Sequence, residues 1–220
     1  MEIDLSNQAP NSAFSDSSKK QTVFVVDDEP DVRAALRLLI KSVGYNVECF
    51  ESADLFFNQF QPDRMGCLIL DVRMPGMSGM DLQEKLASME TLLPVIMISG
   101  HGEIPMAVKA VQKGAVDFLQ KPFSDQQLLD RISQAMEINS KRHDIHDVRQ
   151  SAQDKYDSLT PRESEIFAEV VSGKLNKIIA YELNISTRTV EIHRAKAMEK
   201  MGAKNLSELI NLANLIKSSD

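Results

Sequence analysis

The sequence predicts an α/β domain with a doubly wound sheet of five parallel strands, followed by an all-α domain of four helices. Strand-like and helix-like apolar patterns alternate five times along residues 21–139. The strand-like runs are continuous rather than alternating, which indicates burial on both faces, as in a parallel sheet covered by helices. Beyond residue 158 only helical patterns occur. The length of 220 residues suits one large domain or two small ones.

The first domain is predicted from five successive strand–helix units. Its strands are Thr22–Asp27, Asn46–Phe50, Cys67–Asp71, Pro94–Ser99 and Asp117–Leu119. A helical pattern follows each strand, and the last pattern starts at Ser124 and runs past Met136. A closed barrel of this type needs eight such units, so we predict an open sheet with helices on both faces.

Two segments outside this pattern are polar. Residues 1–20 are rich in Ser and Asn and lack the basic and apolar regions of a signal peptide, so we predict a flexible tail. Residues 140–158 are charged and lose the apolar periodicity, which predicts a partly helical linker. The predicted domains are therefore residues 21–139 and 159–220.

The second domain begins with a specific helix start signal. Thr160 stands at the N-cap, Pro161 at the first helical position and Glu163 at the third, which together form a capping box. The four apolar patterns that follow contain Ile166, Phe167, Val170 and Val171; Ile178, Ile179, Ala180 and Leu183; Val190, Ile192, Ala197 and Met201; and Leu206, Leu209, Ile210, Ala213 and Ile216. The middle two helices have the spacing of a helix-turn-helix.

Charge is distributed unevenly along the chain. The net charge of −7 comes from residues 1–155, whereas residues 156–220 are neutral. Within the neutral part, residues 174–204 hold seven basic side chains and three glutamates. This concentration indicates either a nucleic-acid contact or a solvated helix face.

Composition narrows the class of protein and its compartment. With 43% hydrophobic and 26% charged residues, the chain is not disordered, collagenous or built from repeats. No apolar run approaches the ~20 residues that span a bilayer, so we expect no contact with a membrane. Two cysteines, Cys49 and Cys67, lie in strand-like runs and are predicted to be buried free thiols in a reducing cytoplasm.

Polar residues mark the ends of four predicted strands. Asp27 and Asp28 end the first strand, Asp71 the third and Ser99 the fourth, and Lys121-Pro122 follows the fifth. Because parallel strands point the same way, these groups should meet at one edge of the sheet. Each alone is more often a helix cap or a loop residue, so the prediction depends on their joint occurrence.

Three carboxylates at one edge repel one another, and a divalent cation removes that conflict. Hard oxygen ligands favour Mg²⁺. A lysine supplies a positive charge for a phosphoryl oxygen, and a serine supplies a hydroxyl donor. The set therefore suits an aspartate that becomes phosphorylated.

Longer motifs carry a resemblance to a known family. VVDDEP at 25–30, LDVRMPGMSG at 70–79, ISGHG at 98–102 and FLQKPF at 118–123 resemble the receiver domain of bacterial two-component response regulators. Residues 159–205 resemble the LuxR-type helix-turn-helix. The combination resembles the FixJ branch of the NarL/FixJ family over residues 20–217. It implies a CheY-like (flavodoxin-like) receiver with strand order 2-1-3-4-5, in which Cys49 and Cys67 lie on strands that are not neighbours.

The resemblance implies a role for each matching residue of the receiver. The phosphoacceptor would be Asp71, with Mg²⁺ held by Asp28, by Asp27 through water, and by the Arg73 backbone carbonyl. Ser99 and Lys121 would contact the phosphoryl group, and Phe118 would be the aromatic switch. Lys121-Pro122 would be a cis peptide. The Arg73 and His101 side chains would slow hydrolysis of the phosphoryl group, unless they are simply solvated.

The resemblance also implies partners. A sensor histidine kinase would phosphorylate Asp71, and the phosphorylated chain would form a homodimer through the fourth helix and fifth strand, about residues 103–118. The dimer would bind double-stranded promoter DNA, and RNA polymerase is a further candidate partner.

The third helix of the second domain is predicted to enter the major groove. We expect Arg188, Thr189, Glu191 and Arg194 near bases or the flanking phosphates. We expect His193 and Lys196 at phosphate or solvent, and Lys174, Asn176 and Lys177 on the DNA backbone. Val190 is predicted to lie in the core. Ile178 occupies a position that is often polar in the family, so its helix would pack differently or lose a contact.

Two other classes of function are consistent with parts of the sequence. A phosphatase or phosphotransferase could use Asp71 as a turnover nucleophile, but Arg73 stands where haloacid-dehalogenase-like enzymes keep a second aspartate. We therefore predict that the chain is not an enzyme. The second domain could instead bind protein. A dinucleotide site is excluded because no Gly-rich loop follows the first strand.

Overall fold

The structure, a computed structural model, describes residues 21–100 and 104–217. The predicted N-terminal tail at 1–20 and the side chain of His101 lie outside the described residues. The chain divides into two compact units, residues 1–140 and 141–220, and each is considered by itself.

The first unit is an α/β sandwich around a parallel sheet. Its strands are β1 (Thr22–Val26), β2 (Asn46–Phe50), β3 (Gly66–Asp71), β4 (Val95–Ser99) and β5 (Asp117–Gln120). Its helices are α1 (Pro30–Ser42), α2 (Ala53–Gln59), α3 (Gly79–Ser88), α4 (Ile104–Gln112) and the first part of α5 (Asp125–Asp157). The strand order is β2-β1-β3-β4-β5 with every pairing parallel, which confirms the predicted doubly wound sheet.

The sheet separates two apolar clusters, because successive side chains of a strand point to opposite faces. Phe24 and Leu68 pack on one face with α2 and α3, and Val25 and Ile69 pack on the other with α1 and α5. The edge strands β2 and β5 are only partly covered. Cys49, on β2, is therefore half-buried, and the prediction that both cysteines are buried is correct only for Cys67.

Helix α5 extends further than the sequence predicted. Residues 140–157 are helical throughout, whereas the sequence indicated a linker that was only partly helical. Side-chain hydrogen bonds from Gln150 to Asp154 and from Gln153 to Asp157, both 2.8 Å, link successive turns of this polar segment. Such i,i+4 pairs stabilise an exposed helix without an apolar stripe.

The second unit packs four helices around one apolar core. Besides the end of α5 it contains α6 (Pro161–Val171), α7 (Asn176–Glu182), α8 (Thr187–Met201) and α9 (Leu206–Lys217). The predicted capping box is present: the Thr160 side chain accepts from the Glu163 N–H, and the Glu163 carboxylate accepts from the Thr160 N–H. Gly202 ends α8 with φ +70°, a left-handed conformation that favours glycine.

Two isoleucines predicted for the apolar stripes are exposed. Ile178 on α7 is 47% exposed and Ile192 on α8 is 48% exposed. The core beneath α8 is filled by Val190, Ala197 and Met201, which confirms Val190 as a core residue. These three residues form a narrow stripe, so an apolar residue two positions after Val190 projects away from it.

Among the described residues, no helix combines the length and apolar character needed to cross a bilayer.

Candidate functional sites

The first site lies where β1 and β3 end side by side. Asp27 directly follows β1, and Asp71 is the last residue of the neighbouring strand β3. Carboxylate oxygens of Asp27, Asp28 and Asp71 all lie within 4.8 Å of one another. Asp27 and Asp71 are buried and Asp28 is half-buried. Thus the parallel sheet brings together the three acids that the sequence marked at its strand ends.

Lys121 supplies the positive charge of this acidic cluster. Its Nζ donates to Asp27 Oδ2 at 2.8 Å and to Asp71 Oδ2 at 2.7 Å. The peptide between Lys121 and Pro122 is cis, as the resemblance implied. Burial would lower the pKa of Lys121, but the hydrogen bonds with Asp27 and Asp71 outweigh it and raise the pKa above its ordinary value. Lys121 is therefore firmly protonated at neutral pH.

Burial is the main influence on Asp27. It raises the pKa of Asp27 above its ordinary value, and the hydrogen bond from Lys121 and the backbone bond from Glu29 offset it only in part. One lysine therefore does not fully compensate the crowded acids. The donors are hard carboxylate oxygens, so they fit a Mg²⁺ ion. Asp27, Asp28, Asp71 and the Arg73 carbonyl are the groups that would hold it.

Backbone N–H groups orient the two buried carboxylates. The Glu29 N–H donates to Asp27 Oδ1 at 2.9 Å, and the Arg73 N–H donates to Asp71 Oδ1 at 3.1 Å. Both oxygens of Asp71 are thus hydrogen-bonded, one to the loop after β3 and the other to Lys121. This arrangement presents Asp71 in one orientation at the edge of the sheet.

Ser99 and Phe118 lie on the strands beside the acidic cluster. Ser99 is buried at the end of β4, and its carbonyl accepts the Lys121 N–H at 2.8 Å. Phe118 is half-buried on β5 and packs against the core cluster that contains Phe24 and Leu68. The structure therefore connects Lys121 directly to β4 and places Phe118 between the core and the surface.

Two contributors to the site were not identified from the sequence. The Gly79 N–H donates to the Val72 carbonyl at 3.0 Å, and a Cβ on Gly79 would stand 2.0 Å from the Asp71 carbonyl oxygen. Only glycine allows α3 to start so close to the end of β3. Arg33 Nη1 donates to the Asp27 carbonyl at 2.7 Å. The glycine at the end of the LDVRMPGMSG motif was a usable signal, whereas Arg33 resembled any other exposed helical arginine.

The second site is the outward face of α8. Ser186 caps this helix by accepting the Thr189 N–H at 3.1 Å, and its hydroxyl also contacts the Thr189 hydroxyl at 2.8 Å. Arg188, Glu191 and Lys196 are exposed. The other residues predicted to contact DNA from α8, namely Thr189, His193 and Arg194, are half-buried. The helix thus presents only part of the predicted set directly to solvent.

Two of the basic residues predicted to contact DNA, Lys174 and Arg194, bind other side chains of this unit. Lys174 Nζ lies 2.6 Å from Glu169 and 2.7 Å from Glu182, and its hydrogen bond with Glu169, followed by that with Glu182, raises its pKa. Arg194 donates to Asn176 Oδ1 at 2.9 Å. By contrast, the described residues offer no ion-pair partner to Lys177, Arg188 or Lys196.

Comparison with known proteins matches two parts of the chain to two different families. Residues 23–133 match the response regulator receiver domain, and residues 157–213 match the luxR family of bacterial regulatory proteins. The response regulator protein TodT of Pseudomonas putida is 41% identical over 203 residues, which cover 92% of this chain and 89% of TodT.

Two further relatives match over nearly their whole length. The transcriptional regulatory protein FixJ of Rhizobium meliloti is 43% identical over 197 residues, covering 87% of this chain and 94% of FixJ. The solved structure of the response regulator StyR is 42% identical and superposes with a TM-score of 0.78, covering 89% of this chain and 98% of that one. The names of TodT and FixJ describe a response regulator and a transcriptional regulator.

Proposed function

The chain belongs to the NarL/FixJ family of two-component response regulators, and from this premise we propose that phosphorylation of Asp71 by a histidine kinase promotes dimerisation and sequence-specific DNA binding. The main support is the cluster of Asp27, Asp28 and Asp71 with Lys121 at 2.7 Å from Asp71. The receiver would be residues 21–139, the DNA-binding domain residues 159–220, and residues 140–158 their connection. As a regulator of transcription, the chain is not an enzyme.

Phosphoryl transfer follows from the chemistry of this cluster. A carboxylate oxygen of Asp71 attacks the phosphorus of a phosphohistidine and forms an O–P bond. The N–P bond breaks, and the imidazole nitrogen keeps the electron pair and takes up a proton. Mg²⁺, bound by Asp27, Asp28, Asp71 and the Arg73 carbonyl, would supply charge that neutralises the phosphoryl oxygens. The hydrogen bonds from the Arg73 backbone N–H and from Lys121 Nζ hold the Asp71 carboxylate in place for this attack.

Lys121 and Ser99 would respond to the new charge. Phosphorylation replaces one carboxylate charge by nearly two on the phosphoryl group. Lys121 already contacts Asp71, so it follows the group with little movement, and the Ser99 hydroxyl donates to another phosphoryl oxygen. Movement of Ser99 opens space into which Phe118 turns. A hundredfold shift between the two states corresponds to ~2.7 kcal/mol, which two or three charge-assisted hydrogen bonds supply.

The surface of α4 supports dimerisation. Ile104, Val108 and Val111 are 81%, 50% and 53% exposed and recur at the i, i+4, i+7 spacing of one helix face. Such a stripe is unfavourable in water and becomes favourable when a second copy covers it. Because α4 packs against β5, a shift of Phe118 on β5 reaches this face directly.

A matched pair of variants tests the dimer surface. With acetyl phosphate and Mg²⁺, the wild-type chain should become dimeric in light scattering. Val108→Asp should stay monomeric although it is phosphorylated, whereas Leu38→Asp, at an exposed position of α1, should dimerise normally. Dimerisation of Val108→Asp at the wild-type concentration would contradict the assignment of this face.

The exposed residues of α8 would contact DNA. Arg188 and Glu191 lie on the N-terminal part of α8, where a recognition helix meets base edges. Lys177 and Lys196 would contact phosphates. Arg194 is held by Asn176, so the pair would act together on the DNA backbone, and the two glutamates bound to Lys174 reduce its contribution.

The dependence of DNA binding on Asp71 tests the proposed function. Genomic footprinting with and without acetyl phosphate should show protected sites only with the phosphodonor. Asp71→Asn should lose this response, and Asp63→Asn, which changes an exposed loop carboxylate, should keep it. A footprint of Asp71→Asn that still responds to acetyl phosphate would contradict the proposal.

A further inference from the structure

Ile192 is a branched aliphatic residue on the outward face of α8, in the N-terminal half of that helix. It lies two positions after Val190, which corresponds to a rotation of about 200° around the helix. Val190 is fully buried and Ile192 is 48% exposed. Ile192 is therefore almost opposite the core and contributes little to the packing of this unit.

The neighbours of Ile192 along this face are also exposed. Arg188 precedes it by one turn, and Ala195 and Glu199 follow it by one and two turns. The carboxylate of Glu199 would be repelled by DNA phosphates, whereas the guanidinium of Arg188 would be attracted to them. The part of the face that approaches DNA is thus the N-terminal part, which includes Ile192.

The charges around Ile192 favour nucleic acid over an apolar protein surface. Arg188 and Lys196, four residues before and after Ile192, are exposed and have no ion-pair partner among the residues that the structure describes. An apolar protein partner would have to bury both cations without compensation. In the major groove, cations of this kind meet phosphates or guanine, and the 5-methyl group of thymine is the apolar group that a base edge offers.

We propose that Ile192 determines sequence specificity by packing against a thymine 5-methyl group in the major groove. This inference rests on the proposed sequence-specific DNA binding. Four residues of helix rise by about 6 Å and one base-pair step by about 3.4 Å, so the thymine lies within about two base pairs of the base contacted by Arg188. Ala195 has only a methyl group, so it allows the helix to approach the groove closely.

Replacing thymine by uracil tests the contact, because it removes only the methyl group. A preferred duplex is first selected from a random library with the full-length chain, acetyl phosphate and Mg²⁺. Each thymine of that duplex is then replaced by uracil in turn. For the wild-type chain, one uracil per half-site should weaken binding by about fourfold, the value of one buried methyl group.

Two isoleucines with nearly equal exposure provide the matched control. In Ile192→Ala the same uracil should cause no further loss, because the side chain that contacted the methyl is gone. In Ile178→Ala, which changes the 47% exposed isoleucine of α7, the fourfold penalty should remain. Alanine is a better helix former than isoleucine, so both variants should fold.

The outcomes separate this inference from the proposed function. If the wild-type chain selects a sequence but every uracil is tolerated, or if the penalty persists in Ile192→Ala, the role of Ile192 is wrong and DNA binding stands. If the wild-type chain enriches no sequence at all, sequence-specific binding fails, and the inference fails with it.

Discussion

Replacing Asp27 by asparagine is expected to stabilise the receiver while removing a ligand for Mg²⁺. Asparagine keeps the oxygen that accepts the Glu29 N–H at 2.9 Å and removes the buried charge. The pKa of Asp27 is raised, chiefly by burial, so above that pKa the ionised carboxylate is less favourable in the folded chain than in the unfolded chain. At neutral pH the wild-type residue therefore opposes folding.

Charge geometry gives the size of the effect. At an effective dielectric constant of about 20, the substitution removes an attraction between Asp27 and Lys121, at 2.8 Å, of about 6 kcal/mol. It also removes a repulsion between Asp27 and Asp71, within 4.8 Å, of about 3.5 kcal/mol, which favours the variant. Burying the carboxylate costs several kcal/mol of desolvation, about 4.5 kcal/mol at this site, and the variant recovers this cost. The balance favours the variant by about 2 kcal/mol, which corresponds to a roughly 30-fold change in the opening equilibrium.

Hydrogen exchange of the β1 and β3 amides at neutral pH measures this change within the intact chain. The slowest amides of Asp27→Asn should exchange about 30-fold more slowly than in wild type, whereas Asp63→Asn should change exchange by less than about twofold. Adding Mg²⁺ should slow exchange in wild type and have a smaller effect in Asp27→Asn. Faster exchange in Asp27→Asn would refute the reasoning, because the carboxylate would then be a net stabiliser.

Three more predictions follow from particular contacts. Gly79→Ala would place a Cβ 2.0 Å from the Asp71 carbonyl oxygen and should destabilise the receiver by about 3 kcal/mol. Gly100→Ala should leave stability unchanged, because a Cβ there would have no heavy atom within 4 Å. Equal hydrogen-exchange rates in the two variants would contradict this prediction. The hydrogen bond with Lys200, and then that with the Thr160 N–H, lowers the pKa of Glu163 from 4.5 to about 2, so its contribution to stability is complete above pH 4.5 and is lost as the pH falls to 2. Urea unfolding followed by circular dichroism gives the free energy of unfolding at each pH. Between pH 4.5 and pH 2 this free energy should fall less in Glu163→Gln than in wild type, and an equal fall in both proteins would contradict the prediction. Lys177→Gln should reduce the salt dependence of DNA binding by about one unit of log–log slope per protomer, which is about two units for the dimer. Lys174→Gln should leave the slope nearly unchanged because Lys174 already pairs with two glutamates, and equal slopes for the two variants would exclude this distinction.

The sheet and its acidic cluster could be predicted from local patterns. Continuous apolar runs specify buried parallel strands, and strand direction then brings Asp27 and Asp71 to the same edge. The side chain that approaches them, Lys121, follows from the same rule. The need for glycine at position 79 could not be predicted in the same way. It arises because the backbone of Asp71 lies against Gly79, and this contact exists only in the folded chain.

The helical parts were less predictable because periodicity does not define how wide a buried stripe is. Ile192 fits an apolar pattern in the sequence, but the core beneath α8 has room only for the narrow row that contains Val190. In α5 the opposite error occurred: the charged segment at 140–157 has no apolar stripe, yet polar side chains link its turns. The sequence predicted that Lys174 contacts the DNA backbone, but in the folded unit Lys174 forms ion pairs with Glu169 and Glu182. These pairs depend on the tertiary fold, so the sequence pattern did not indicate them.

The site of phosphorylation is the most direct test of the account. The chain is treated with acetyl phosphate and Mg²⁺, and the acyl phosphate is trapped by borohydride reduction, which converts a phosphorylated aspartate to homoserine. Peptide mass spectrometry should find homoserine at position 71 and should find none when EDTA replaces Mg²⁺. If Asp71 of the wild-type protein stays unmodified, or if homoserine replaces a different aspartate, the central claim is wrong.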